Sequence, residues 1–285
     1  MTSSIVVRAP ATSANLGSGF DCLGMALDLW NEVVATPASL DTAPDLTERA
    51  AQAVFEAVGA PLQRFALQSK NDVPQGRGLG SSATAIACGL LIANRCLGDA
   101  LPESTLLDIA TRLEGHPDNV VPCLLGGVQV ATTDAAGRVA HARVPLPRPL
   151  RVVVFVPEQH ILTTDARALL PRSVPFEDAL FNVARSSLLI AALASGDLAL
   201  LEEATRDRLH QPYRLPLYPA GSTLFDAAMQ AGALAVYTSG AGPSVSALVT
   251  DDAMAHSVAA ALQGLGLPGS TLLLGVTRRG AHVVG

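Results

Sequence analysis

The 285-residue chain reads as a mixed protein of alternating strands and helices, divided into two units. Three observations predict this. Short apolar runs of strand length, such as Ile5–Val7 and Val152–Val156, alternate along the chain with amphipathic helical stretches. Loops rich in glycine and serine follow strands near the start, in the middle and near the end. A run of prolines, Pro145-Leu146-Pro147-Arg148-Pro149, interrupts the alternation, and the boundary falls there, giving units 1–147 and 148–285.

Composition narrows the class. With 49% hydrophobic and 15% charged residues, the chain can build a sizeable core and is not a disordered one. A net charge of −6 with scattered arginines argues against a nucleic-acid partner. No uninterrupted apolar run reaches membrane-spanning length, and the start MTSSIVVRAP has no signal-peptide core, so no membrane partner is expected. The cysteines Cys22, Cys88, Cys96 and Cys123 form no CxxC pair. Cys88 and Cys96 sit in apolar helical pattern, which predicts buried free thiols in a reducing cytoplasm.

In chain order, Ile5–Val7 is a strand, and Ala9 to Gly24 is a long stretch of small and turn-forming residues in which Pro10 stops any helix. Asn15 and Asp21 are its side chains best suited to grip a polar ligand, although either could close a local Asx turn. Ala26–Ala35 is a strand. Pro44–Val58 is a helix with Leu46, Ala50, Ala53, Val54 and Ala57 on one face, ended by Gly59. Phe65–Leu67 is a strand that leads into the central loop.

That loop, Pro74 to Thr84, reads PQGRGLGSSAT. Gly76, Gly78 and Gly80 alternate and are followed by Ser81 and Ser82, then by a small-residue helix. Glycines can take positive φ and admit a ligand close to the backbone, and the free N–H groups of a helix start favour phosphate. It is not a Walker A loop, because the only lysine is Lys70, nor a GxGxxG fingerprint, because Ala83 stands where the last glycine belongs. Alone, such a loop is as well read as a turn feeding a buried helix.

Pro102–Leu113 is a second amphipathic helix, followed by Glu114-Gly115-His116-Pro117-Asp118-Asn119. This cluster fits a metal, a substrate ammonium group or a capped surface turn. Gly126–Ala131 and Val139–Val144 form a hairpin through Asp134–Gly137. Beyond the prolines come the strand Val152–Val156, helices over Thr163–Leu169 and Phe176–Ala194, a shorter helix from Asp197, and a loop over Leu209–Arg214. A helix at Ser222–Gln230, a strand at Ala233–Tyr237, the loop Ser239-Gly240-Ala241-Gly242-Pro243-Ser244, a strand at Val245–Val249, a helix from Asp251 and a strand at Thr271–Val276 complete the alternation. No internal repeat is present.

Three loops, ATSANLGSGFD, PQGRGLGSSA and SGAGPS, together resemble the GHMP small-molecule kinases, and within them the homoserine kinase family, to which ANLGSGFD and EGHPDNV point. The resemblance runs over essentially the whole chain. It implies a two-domain α+β fold with the active site in the cleft between domains. ATP would lie over Pro74, Gly76, Arg77, Gly78, Leu79, Gly80, Ser81, Ser82, Ala83 and Thr84, with Mg²⁺ on Ser82 and Glu114 and Asp108 as a rival carboxylate. The family's contacts to L-homoserine map onto Asn15, Asp21, His116, Arg167 and Arg214. His210-Gln211, where other members carry an acidic residue, departs from the pattern beside Arg214. Asn119 and Arg167 would be catalytic; Asn119 stands where some superfamily members carry an aspartate base, so no side-chain base is expected. Adenine contacts would come from residues 45 to 72, and homodimers are frequent in the family. The alternatives are another kinase of the superfamily, acting on mevalonate, shikimate or a diphosphocytidyl erythritol, or a catalytically silent ligand sensor. Mevalonate-type members carry a lysine near the first motif, which is missing here.

Overall fold

The structure, a computed structural model, describes residues 4–39 and 42–284. Two antiparallel sheets carry the fold. The first has the order β10-β1-β2-β4-β5, with β3 also pairing with β2, and the second the order β7-β8-β6-β9. β1 (Ile5–Ala14), β2 (Leu23–Ala38), β3 (Arg64–Asn71), β4 (Val128–Thr133) and β5 (Val139–Val144) precede the prolines. β6 (Arg151–Pro157), β7 (Ala235–Thr238), β8 (Val245–Val249) and β9 (Gly269–Gly275) build the second sheet. β10 (His282–Val284) returns to the first and pairs Val6 to Arg8 of β1.

β6 shows how the core is shared. Val153 and Phe155 enter a cluster with Leu224, Val258 and Leu262 of α9 (Gly221–Gln230) and α10 (Asp252–Gly264). Val152, Val154 and Val156 enter another that contains Leu23, Met25 and Leu27 of β2 together with Leu189 and Leu193 of α6 (Phe176–Ser195). Side chains alternate across a strand, so a strand that is apolar throughout is buried on both faces and joins the two sheets through one core. A third cluster lies between the first sheet and α1 (Leu46–Val58), α2 (Ser81–Cys96), α3 (Glu103–Glu114) and α4 (Pro117–Leu125).

Several local expectations are corrected. β1 runs through Pro10 to Ala14; its pairing with β2 shifts register between Pro10 and Thr12, and that irregularity accommodates the missing N–H. The turn-rich stretch therefore begins only at Asn15. His116 to Pro122 opens a helix: Pro117 stands in its first turn, where no N–H is needed, and Pro122 leaves the Asp118 carbonyl without its helical donor. That carbonyl packs against Gly24, where an added Cβ would lie 1.8 Å from it. Leu209–Arg214 contains the short helix α8 (Gln211–Arg214). Cys96, at the last turn of α2, is exposed, whereas Cys88 and Cys123 are buried; all four thiols are free.

α6 is long and apolar enough to cross a membrane by length and composition, at 20 residues and a mean hydropathy of 1.2. Leu189, Ala192 and Leu193 pack into the protein while Phe176, Leu180 and Val183 face solvent. Arg185 of the same helix pairs with Glu203.

Candidate active site

The central loop is held open by its glycines. Gly76, Gly78 and Gly80 have φ of 62°, 74° and 69°, and Gly80 is the N-cap of α2. An added Cβ at Gly78 would lie 2.1 Å from the Ser239 carbonyl, and one at Gly80 would lie 1.9 Å from Thr12 Oγ1. The glycines thus bring the loop against both β1 and the late loop 239–244. Ser239 Oγ donates to the Gly78 carbonyl at 2.7 Å and shares a hydrogen bond with Ser13. Thr12 N–H donates to the Leu79 carbonyl. Ser81 and Ser82, the first residues of α2, line the cleft.

One cleft gathers the loop and most of the expected residues. Asn15, Asp21, Gly76 to Ser82, Glu114, His116, Asp118, Asn119, Arg167 and Arg214 all line it, with Thr163 and Gly240. Three loop positions do not. Pro74 precedes the turn, Ala83 is in the core, and Thr84 Oγ1 bonds the Ser81 carbonyl and Asn31 Nδ2. Arg77 is at the rim, but its guanidinium donates to the carbonyls of Pro157 and Glu158 at 2.6 and 2.5 Å, clamping the loop to the end of β6. Behind Ser81 and Ser82 a neighbouring cavity of about 340 Å³ is lined by Asn31, Asp45, Leu46, Thr47 and Asn71.

Ser82 Oγ donates to Glu114 Oε2 at 2.6 Å. Burial pushes the Glu114 carboxyl above its usual range, only partly offset by that bond and the nearby His116. A half-buried carboxylate beside a hydroxyl is an oxygen donor set suited to a hard divalent cation. Asp108 is elsewhere, its Oδ1 accepting the Val139 N–H at 2.7 Å.

The opposite wall is built from side chains. Asn15, Leu16 and Asp21 adopt positive φ of 71°, 45° and 56°, a strain that persists only where surroundings enforce it. Asn15 Nδ2 donates to the Gly240 carbonyl at 2.8 Å, while its Oδ1 accepts the Asp21 N–H at 3.0 Å. Asp21 is thereby aimed at Arg167 of α5 (Thr163–Ala168), which binds both its oxygens at 2.8 Å. These bonds raise the Arg167 pKa further. Arg214 is 3% exposed. It donates to the Gly240 carbonyl at 3.1 Å and to His210 Nδ1 at 3.3 Å, and its Nε finds no partner among the described residues. Burial, and then the like charge of Arg167, disfavours its cation. Both guanidinium groups stand over Phe20, at 5.6 and 5.0 Å from the ring centre. This corner calls for an anion.

Two supports were invisible as site residues in the sequence. Asp207 is fully buried and accepts the N–H groups of Leu209, His210 and Gln211 and the Asn182 amide, at 2.6 to 3.0 Å. It caps the turn that presents Arg214. His210 stacks on Phe20 and donates Nε2–H to the Gly17 carbonyl at 2.7 Å, with Nδ1 left to accept from Arg214. Burial pushes the His210 pKa down, which keeps it neutral for that role. On the other side, Thr12 Oγ–H donates to Asn119 Oδ1 at 2.7 Å, and His116 Nδ1 pairs with Asp118 Oδ1 at 2.5 Å. Burial opposes a charged His116, but Asp118 outweighs it and the His116 pKa is raised.

Comparison with known proteins agrees with this geometry. Residues 45–127 match the model of the GHMP kinases N terminal domain and residues 189–266 that of the GHMP kinases C terminal. The homoserine kinase of Moorella thermoacetica is 45% identical over 84% of this chain and 86% of its own length, and that of Thermus thermophilus 42% identical over 94% of both. The chain belongs to the homoserine kinase family of GHMP kinases. Within that family, the crystal structure of homoserine kinase from Cytophaga hutchinsonii superposes with a TM-score of 0.88 at 28% identity, covering 100% of this chain and 98% of that one. The two-domain kinase fold extends further: a mevalonate diphosphate decarboxylase from Enterococcus faecalis has a TM-score of 0.76 at 17% identity, over 99% of this chain and 98% of its own, which is a likeness of fold alone.

Proposed function

We propose that this enzyme transfers the γ-phosphoryl group of ATP to the side-chain hydroxyl of L-homoserine, giving O-phospho-L-homoserine for threonine biosynthesis in the cytoplasm. The observation that supports it is a phosphate cradle and a zwitterion pocket in a single cleft. The glycine loop and the start of α2 receive the phosphates, and the cavity behind Ser81 and Ser82 takes the nucleoside. Ser82 and Glu114 hold Mg²⁺, which neutralises phosphate charge when bound. In the other half, Asp21 takes the substrate ammonium, while Arg167 and Arg214 fork onto its carboxylate. The Asp21–Arg167 pair is therefore exchanged on binding: each partner leaves the other for the opposite end of the zwitterion.

Phosphoryl transfer through a loose transition state depends on alignment and charge neutralisation more than on a strong base. Asn119 has its carbonyl oxygen fixed by Thr12, so its amide orients the substrate hydroxyl and accepts no proton. Asp118 is committed to His116. The hydroxyl proton passes to the γ-phosphate or to solvent. A coupled ADP-release assay with Mg·ATP and L-homoserine, mevalonate, shikimate or L-serine tests the substrate: turnover is expected on homoserine alone, and turnover on another alcohol would overturn the substrate contacts. If Asp118→Asn removed the acidic limb of the pH–rate profile, where a base would become protonated and idle, the absence of a base would be disproved.

A further inference from the structure

A groove of about 710 Å³ lies apart from the cleft. Its walls come from the ends of β5 and β9, the starts of β4 and β6, and the proline-rich connection. β6 separates the two sites. Its first residue, Arg151, lines the groove, whereas its last, Pro157, holds Arg77 of the glycine loop. Seven residues of strand put roughly 20 Å between them. The groove belongs to neither the phosphate nor the amino-acid side of the active site.

Its charge is unusual for this chain. Arg143, Arg148, Arg151 and Arg278 surround it against a single carboxylate, Asp28, in a protein of net charge −6. Asp28 is already engaged, since its Oδ1 accepts the Gly275 N–H at 2.6 Å. Arg151 pairs with Asp252 at 2.9 Å, and Arg143 donates to the Leu125 carbonyl at 2.5 Å. Arg148 and Arg278 make no hydrogen bond or ion pair among the described residues. Folding gains nothing from gathering like charges that stay unpaired. The floor between them is apolar, formed by Val128, Val144, Leu150 and Val276. A cavity of ligand size at a domain junction, with an apolar base and a few charges of one sign, is the usual form of a small-molecule site.

We propose that this groove binds a small amphipathic anion, with an acidic head between Arg148 and Arg278 and an apolar body on the floor. Its occupant touches both sheets and the connection between them at once, without entering the cleft. The test is a fluorescence titration of the whole protein with anilinonaphthalene sulfonate, an aryl anion of this shape, with and without saturating Mg·ATP. Saturable binding that Mg·ATP does not displace is expected, weakened at least about ten-fold by the double variant R148E/R278E. Uncharged anilinonaphthalene should bind far less. Both arginines are exposed, so the variant should retain wild-type turnover and fold. Equal affinity of the dye for wild type and double variant, or displacement by Mg·ATP, would overturn the proposal.

Discussion

The two sides of the cleft do their work by opposite means. The glycine loop is one contiguous stretch whose backbone faces the cleft and whose own side chains are mostly committed elsewhere: Arg77 to carbonyls, Thr84 to Asn31. The amino-acid pocket is drawn from segments 15–21, 116–119, 163–167 and 207–240, and side-chain bonds hold nearly every member. A backbone site tolerates changes of side chain but no added Cβ. A side-chain site tolerates changes of local backbone but no lost charge.

The largest effect expected from breaking this contrast is on the charged side. Arg214→Ala removes a buried cation that we assign to the substrate carboxylate, which should cost about 3 kcal/mol of transition-state binding. That corresponds to roughly a hundred-fold lower kcat/KM for homoserine, with the KM for ATP unchanged; a loss confined to ATP would break the division. Gly78→Ala attacks the other side. A positive φ and a carbonyl in the path of the new Cβ should lower stability by more than about 2 kcal/mol, read as a clear fall in Tm. A normal Tm would mean that the late loop can withdraw.

A smaller effect separates Arg214 from the residue that positions it. Asp207→Asn keeps the size of the side chain but weakens three N–H bonds, so the α8 turn loosens. We expect the KM for homoserine to rise by roughly ten-fold, about 1.4 kcal/mol, with kcat nearly kept, whereas a general loss of structure would lower both. The smallest effect is in pH. The His210 pKa is lowered in the folded state, whereas in the unfolded chain it is about 6.5. Its contribution to stability is therefore present above about pH 6.5 and lost as pH falls through the folded pKa. Thermal melts from neutral to acidic pH should show a steeper decline for wild type than for His210→Gln, even if the variant is less stable throughout. Equal slopes would remove His210 as the neutral acceptor for Arg214.

This contrast also decides what the sequence could reveal. The glycine loop was legible because its chemistry lies in consecutive residues: the spacing of Gly76, Gly78 and Gly80 announces positive φ before any fold is known. Asn15, Asp21 and Arg214 became legible as a set only through resemblance to a family, because their meeting depends on contacts between distant segments, such as Asn15 with Gly240, 225 positions apart. Asp207 and His210 carry no local signal of a site; an aspartate three residues before a histidine reads as any loop. Thr12 was hidden because the strand was expected to end before it. The helix α4 was missed because two prolines usually mark a turn, yet Pro117 stands in the first turn, where no N–H is needed, and Pro122 costs the helix only the bond to the Asp118 carbonyl. Most strand and helix positions away from these points followed from periodicity, with ends displaced by a few residues.

The return of β10 to β1 has a consequence for synthesis. Residues 282–284 complete a sheet whose other strands lie within the first 144 residues. During translation the β1 edge of the first sheet stays bare until residues 282–284 have been made and can pair with it. An exposed edge of that kind invites pairing with another molecule. Cutting the chain at the proline-rich connection would leave that edge bare, so the two units, though each has its own sheet, are best regarded as finishing together.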